Sequence, residues 1–117
     1  MSDEKAMLEA LSNKFEKEGF RVLRAGNGED GVASALENKP DLVILDILMP
    51  KVGGLEAAKK IRQDKYWGSD VPIIILTNLN DPESVSEAAS YQVYDFLVKT
   101  DWGLDDIVGL ARDRLFM

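Results

Sequence analysis

Four short apolar runs alternate along this chain with longer amphipathic segments. The runs are rich in β-branched or aromatic residues and are predicted to be strands: Phe20–Ala25, Leu42–Leu45, Val71–Leu76 and Tyr94–Val98. In the other segments apolar residues recur every three or four positions, which predicts helices. The first helix is capped by Ser2 or Asp3 and stops at Gly19, and the others span Glu29–Asn38, Leu55–Tyr66, Pro82–Tyr91 and Asp101–Phe116.

The order of these elements is α-β-α-β-α-β-α-β-α, which predicts an α/β fold. Strands that alternate with helices through short loops form a parallel sheet with helices on both faces. The run Leu42–Leu45 is apolar throughout, as expected for a strand buried on both faces. The chain opens on a helix, whereas a doubly wound fold normally opens on a strand.

Three polar residues directly follow buried strands: Asp46, Thr77 and Lys99. Because the carboxyl ends of parallel strands meet at one edge of a sheet, we expect their side chains to converge on one crevice. A carboxylate can act as a nucleophile toward phosphorus, while a hydroxyl and an ammonium can bind phosphoryl oxygens. From the pattern alone, the alternatives are a strand-end residue that caps a turn and a solvated lysine.

The composition of the chain excludes several classes of function. The 117 residues include no cysteine and no histidine, which excludes thiolate and imidazole chemistry. The net charge of −7 argues against binding to a nucleic acid backbone. No apolar run approaches the length of a membrane span, and the first residues lack the pattern of a secretory signal. We therefore expect one soluble, cytoplasmic domain, with no membrane partner.

Segments 45–50, 74–78 and 94–99, which read LDILMP, IILTN and YDFLVK, resemble the response-regulator receiver family. The resemblance covers nearly the whole chain, without gaps. It implies a flavodoxin-like receiver fold and a role in two-component phosphorelay signalling. The domain is then a single receiver-like unit, 1–117, without an attached output domain.

The family's functional residues match positions of this chain one by one. Asp46 resembles the phosphoacceptor, Thr77 the switch hydroxyl, and Lys99 the lysine that pairs with the phosphoryl group. Phe96 matches the aromatic residue whose rotamer reports activation. The resemblance implies a Mg²⁺ ion held by Asp3, Asp46 and the backbone carbonyl of Leu48.

The chain also departs from the family. The family's first strand, a central one, is missing, so the chain is expected to be truncated at its N-terminus. Ser2 stands where the family has the first acid of an acidic pair, and an uncharged hydroxyl should lower the affinity for Mg²⁺. We expect Phe20–Ala25 to pair directly with Leu42–Leu45 in a four-stranded sheet, with a homodimer through swapped or edge-paired elements.

The resulting hypothesis is that Asp46 accepts a phosphoryl group from a sensor histidine kinase or a phosphotransfer protein, and that a downstream protein reads the change. Such a domain is not a conventional enzyme, beyond its own phosphorylation and dephosphorylation. The alternative is a degenerate receiver that acts as a phosphorylation-independent binding or dimerisation module. A phosphate-ester hydrolase is less favoured, because Leu48 occupies the position of the acid that it would need.

Overall fold

A computed structural model describes residues 4–46, 53–77, 82–93, 95–98 and 102–116. The elements in chain order are α1 (Glu4–Lys17), α2 (Gly28–Asn38), β1 (Val43–Asp46), α3 (Gly54–Arg62), β2 (Ile73–Thr77), α4 (Pro82–Ser90), β3 (Asp95–Val98) and α5 (Leu104–Leu115). Across these ranges, no helix combines the length and the apolar character that crossing a membrane requires. The predicted alternation of strands and helices is therefore present from α2 onward.

The described strands form one parallel sheet in the order β1-β2-β3. On one face, Ile74 and Leu76 of β2 pack in a cluster with α1 and α5. On the other face, Ile73 and Ile75 pack in a cluster with α2, α3 and α4. This alternation of inward positions along β2 explains why all of its residues are buried, and it confirms the predicted flavodoxin-like arrangement.

The predicted strand Phe20–Ala25 is wrong, and so is the four-stranded sheet. Residues 20–25 form neither helix nor strand and join no ladder in the described structure. Their side chains are instead held by α1: the Phe20 ring packs edge-on against Phe15 at 5.0 Å, and Arg24 donates to the Glu16 carboxylate at 2.9 Å. A β-prone sequence becomes a strand only when a partner backbone lies within hydrogen-bonding reach. The expected homodimer remains a prediction.

Helix α3 ends at Arg62, four residues before the predicted end at Tyr66. The Arg62 guanidinium donates to the backbone carbonyls of Tyr91, Gly68, Val71 and Gln92, at 2.6 to 3.1 Å. It thereby joins the end of α3 to the end of α4 and to the turn before β2. Trp67 in this turn donates from its indole nitrogen to the carbonyl oxygen of Pro40 at 2.6 Å, so its half-burial has a structural cause.

Four charged side chains connect α1 to α5. Lys14 contacts Glu18 at 3.1 Å and Asp105 at 2.6 Å, and Arg112 contacts Glu18 at 3.0 Å. The hydrogen bond from Arg112, followed by that from Lys14, lowers the pKa of Glu18. The hydrogen bond from Lys14 lowers the pKa of Asp105, and the pKa of Lys14 is raised in return.

These shifts predict a pH dependence of stability. A carboxyl group whose pKa is lower in the folded protein stabilises the fold above its unfolded pKa, and this contribution disappears as the pH falls through the folded pKa. The free energy of unfolding, measured with urea, should therefore decline in the acid range below about pH 4.5. Glu18→Gln should remove part of this decline, and salt should weaken it because the group is at the surface.

The matched control is Glu37→Gln, at an exposed position of α2. This substitution should leave the decline of the free energy of unfolding in acid the same as in the parent protein. Equal acid profiles for the parent and Glu18→Gln would contradict the assignment of the decline to this cluster.

Candidate functional site

The register of the sheet brings Asp46 and Thr77 to the same edge. Asp46, the last residue of β1, lies opposite Leu76 of β2, and Thr77 is the next residue along β2. Neighbouring strands are about 4.8 Å apart and successive residues about 3.3 Å, so the two Cα atoms lie about 6 Å apart. The two residues therefore lie close together at this edge of the sheet.

The two side chains differ in their exposure. Thr77 ends the central strand, between β1 and β3, and is only 4% exposed. Its β-branched side chain suits a strand that is covered on both faces. Asp46 lies on β1, which pairs with β2 alone among the described strands, and it is half-buried. A half-buried carboxylate beside a buried hydroxyl can be reached by a reactant from solvent while the hydroxyl stays fixed.

Lys99 directly follows Val98, which lies opposite Thr77 in the ladder between β2 and β3. The register thus carries the chain to the same edge, although Lys99 itself falls outside the described residues. The predicted metal ligands Asp3 and Leu48 also fall outside them. The structure therefore brings together Asp46 and Thr77, while the positions of the other three residues remain predictions.

Phe96 lies on β3 opposite Ile75. Its side chain is half-buried and packs against the cluster on the α3 and α4 face, which includes Ile75 and Ala88. The ring therefore has core contacts and is incompletely covered. That geometry is compatible with a change of rotamer, and the switch role remains a prediction.

The chemistry of the donor set suits Mg²⁺ only in part. A carboxylate is a favoured ligand of Mg²⁺, which usually keeps several waters and takes only one or two carboxylates from the protein. Asp46 can supply one such ligand. Over the described ranges, no group of three acidic side chains comes together to form a fuller metal site.

At the opposite end of the sheet lies a cavity of about 600 Å³ that the sequence pattern did not single out. Three arginines line it, together with acidic and apolar side chains, and we call it the arginine cavity. Its lining includes Glu18, Phe20, Arg21, Asp41, Pro72, Arg112, Arg114 and Phe116. In the sequence, only the spacing of Arg112 and Arg114 in α5 could have indicated this cavity, because its other lining residues come from distant segments.

Comparison with known proteins identifies the family. The profile of the response regulator receiver domain matches residues 1–110. The protein PilH of Pseudomonas aeruginosa is 37% identical over 89 residues, which make up 76% of this chain and 73% of PilH. AfsQ1, a transcriptional regulatory protein of Streptomyces coelicolor, is 34% identical over 99 residues, 85% of this chain and 42% of AfsQ1.

The alkaline phosphatase synthesis regulator PhoP of Bacillus subtilis is 31% identical over 106 residues. These residues are 91% of this chain but only 38% of PhoP, so the chain spans about two fifths of the length of the two transcriptional regulators.

Solved structures agree on the fold. The chemotaxis protein CheY4 of Vibrio cholerae superposes with a TM-score of 0.87 at 24% identity, over 97% of this chain and 93% of CheY4. A response regulator from Chloroflexus aurantiacus gives a TM-score of 0.85 at 26% identity, over 100% of this chain and 94% of that protein. The receiver domain of the Pseudomonas aeruginosa sensor histidine kinase PA1611 gives a TM-score of 0.85 at 21% identity, over 100% of this chain and 94% of that domain. That structure has a magnesium ion coordinated in its active site cleft.

Receiver domains are signalling modules of two-component phosphorelays rather than conventional enzymes. The profile covers nearly all of the chain, and the sheet places an aspartate and a threonine at the carboxyl edge of neighbouring strands. The chain belongs to the response regulator receiver domain family.

Proposed function

We propose that this chain is a phosphorelay receiver in which Asp46 accepts a phosphoryl group. The observation that carries the proposal is that a half-buried Asp46 and a buried Thr77 lie at the carboxyl edge of the sheet, with their Cα atoms about 6 Å apart. Open α/β sheets bind their ligands at this edge. Family membership supports the same assignment.

The chemistry is a transfer between two nucleophiles. An oxygen of the Asp46 carboxylate attacks the phosphorus atom of a phosphohistidine, the phosphorus–nitrogen bond breaks, and the histidine leaves with the bonding electrons. The product is an aspartyl phosphate. The Thr77 hydroxyl donates a hydrogen bond to a phosphoryl oxygen, and the ammonium of Lys99 offsets the added negative charge.

A magnesium ion bound at this edge would neutralise charge on the phosphoryl oxygens. Asp46, together with Asp3 and the carbonyl of Leu48, would hold it. The relative PA1611 supports this part of the proposal, because its receiver domain carries magnesium in the active site cleft. With Ser2 at the position of the first acid of the family's acidic pair, we expect weak binding that depends on the phosphoryl group for further ligands.

The partners follow from this chemistry. The donor is a sensor histidine kinase or a phosphotransfer protein, since this chain contains no histidine of its own. The change in charge at Asp46 biases the surface around Thr77 and Phe96, which a downstream protein reads. The relative CqsS of Vibrio cholerae, a sensor kinase and phosphatase, is 36% identical over 85 residues, 73% of this chain and 12% of CqsS.

Intact mass spectrometry after incubation with acetyl phosphate and Mg²⁺ tests the proposal. We expect the parent to gain the mass of one phosphoryl group, and Asp46→Asn to gain none, because an amide is a poor nucleophile. Chelation of Mg²⁺ with EDTA should suppress the adduct on the parent. A parent protein that is folded by circular dichroism and gains no adduct would overturn the assignment and favour a phosphorylation-independent binding module.

A further inference from the structure

The segment that begins α2 contains the only asparagine of the chain that is followed by glycine. Asn27 precedes Gly28, whereas the other asparagines precede lysine, leucine or aspartate. The side chain of an asparagine can react with the backbone nitrogen of the next residue. A following glycine favours this reaction, because it has no Cβ atom to obstruct the approach and its backbone rotates freely. Asn27 is therefore the asparagine whose sequence context most favours deamidation.

The nitrogen that would react is not held by a hydrogen bond. Asn27 is the N-cap of α2, and Gly28 is the first residue of the helix. The first amides of a helix have no acceptor within the helix. The amide of Gly28 also makes no hydrogen bond to the other residues that the structure describes. No bond to this nitrogen therefore has to break before it can attack.

Two contacts with Asp30 hold the Asn27 side chain away from this nitrogen. The side-chain oxygen of Asn27 accepts from the backbone amide of Asp30 at 2.8 Å, and the side-chain nitrogen donates to the Asp30 carboxylate at 3.0 Å. The backbone of Asn27 is extended, with ψ at 168°, and Gly28 is buried. Ring closure requires this ψ to change and the side chain to leave Asp30, so the reaction requires the first turn of α2 to open.

The first turn of α2 can open at little cost. Two of its first four residues, Gly28 and Gly31, are glycines, which disfavour the helical backbone because they lose more conformational freedom than other residues. Glu29 and Asp30 are exposed, and the first large apolar side chain that is buried along the helix is Val32. Opening of this turn therefore breaks few contacts besides those with Asp30.

We propose that Asn27 is a deamidation site and that its contacts with Asp30 set the rate. When the turn opens, the backbone nitrogen of Gly28 gives up its proton and attacks the side-chain carbonyl carbon of Asn27. The carbon–nitrogen bond of the side-chain amide breaks, the nitrogen leaves as ammonia with the added proton, and a cyclic succinimide forms. Water then opens the ring at one of its two carbonyl carbons, which gives aspartate or isoaspartate.

Either product weakens the cap of α2 and adds one negative charge. Aspartate has no donor for the Asp30 carboxylate, so two like charges face each other where a hydrogen bond stood. Isoaspartate adds a methylene group to the backbone, which displaces the carboxylate from the Asp30 amide. Because α2 runs back to the start of β1, the added charge lies towards the same end of the sheet as Asp46. The reaction itself does not depend on phosphorylation of Asp46.

Peptide mapping by mass spectrometry tests the proposal on the full chain, incubated in mildly alkaline buffer. The reference is the free peptide of residues 24–31, which has the same sequence without the helix. We expect the chain to lose the amide at position 27 more slowly than the peptide, yet faster than at any other asparagine. A folded chain that keeps this amide unchanged while the peptide is fully converted would overturn the proposal.

Two matched variants test the role of Asp30. Asp30→Ala should accelerate deamidation of the folded chain about fivefold, the effect expected for the loss of one hydrogen bond. Glu29→Ala removes the same charge from the neighbouring exposed position and should leave the rate near that of the parent. In concentrated urea all three chains should react alike. Equal rates for the parent and Asp30→Ala in the folded state would overturn the assignment to Asp30.

Hydrogen exchange tests whether opening of the turn is the limiting event. The backbone amides of Asp30 and Gly31 donate to Asn27, so they report the closed cap. We expect the Gly31 amide to exchange faster in Asp30→Ala than in the parent, by about the same factor as the deamidation rate. Faster deamidation with unchanged exchange would show that the carboxylate acts on the chemical step and would overturn the opening mechanism.

Discussion

Thr77→Val should slow the phosphorylation of Asp46 by acetyl phosphate on the order of a hundredfold, because the substitution removes a hydroxyl donor to the transferring group. Valine keeps the β-branched shape that the central strand requires at this buried position. The rate of appearance of the phosphoryl adduct, followed by intact mass, measures the effect. Any loss of stability should be about 1 kcal/mol, the usual value of one hydrogen bond.

Thr77→Ser is the matched control for this prediction. Serine retains the hydroxyl and loses a methyl group, so its rate should lie closer to that of the parent than to that of the valine variant. A folded valine variant that reacts at the parent rate would exclude a contact between this hydroxyl and the phosphoryl group. The threonine would then have only a packing role.

Gly68→Ala should lower the free energy of unfolding by about 3 kcal/mol, at the upper end of the cost of overpacking a buried site. A Cβ atom at this position would lie 1.9 Å from the carbonyl oxygen of Ile61 and 2.8 Å from the Cβ of Asp64. The backbone cannot easily move away. Its amide donates to the Asp64 carboxylate at 2.7 Å, and its carbonyl accepts from Arg62 at 2.8 Å.

Gly109→Ala provides the contrast within the same chain. Gly109 lies inside α5, and a Cβ atom there would meet nothing within 4 Å. Alanine should stabilise the protein by about 0.5–1 kcal/mol, because it restricts the unfolded chain and favours the helix. Urea unfolding of both variants measures the difference, and similar midpoints for the two would contradict the predicted clash at Gly68.

The local pattern of the sequence predicted most of the elements. The runs that end at Asp46, Thr77 and Val98 are strands, because each is apolar enough to be buried in a sheet. Alternation with helices then requires parallel strands, and parallel strands bring their carboxyl ends to one edge. The placement of Asp46 and Thr77 at one edge of the sheet was therefore predictable without coordinates.

Other features depended on contacts between distant segments. Phe20–Ala25 has the composition of a strand, yet Phe20 and Arg24 hold it to α1, and it joins no ladder among the described residues. The end of α3 at Arg62 depends on carbonyl groups that follow it by up to 30 residues. Sequence periodicity reports which side chains prefer burial, and it carries no information on such partners.

The sequence by itself determined the fold class and the residue types at the carboxyl edge, because burial and strand direction follow from local hydrophobic patterns. Only the tertiary structure decided that residues 20–25 pack against α1 and that Arg21, Arg112 and Arg114 line one cavity. The physical reason is that hydrogen-bond partners and cavities arise from the packing of segments far apart in the chain, whose relative positions no local pattern encodes.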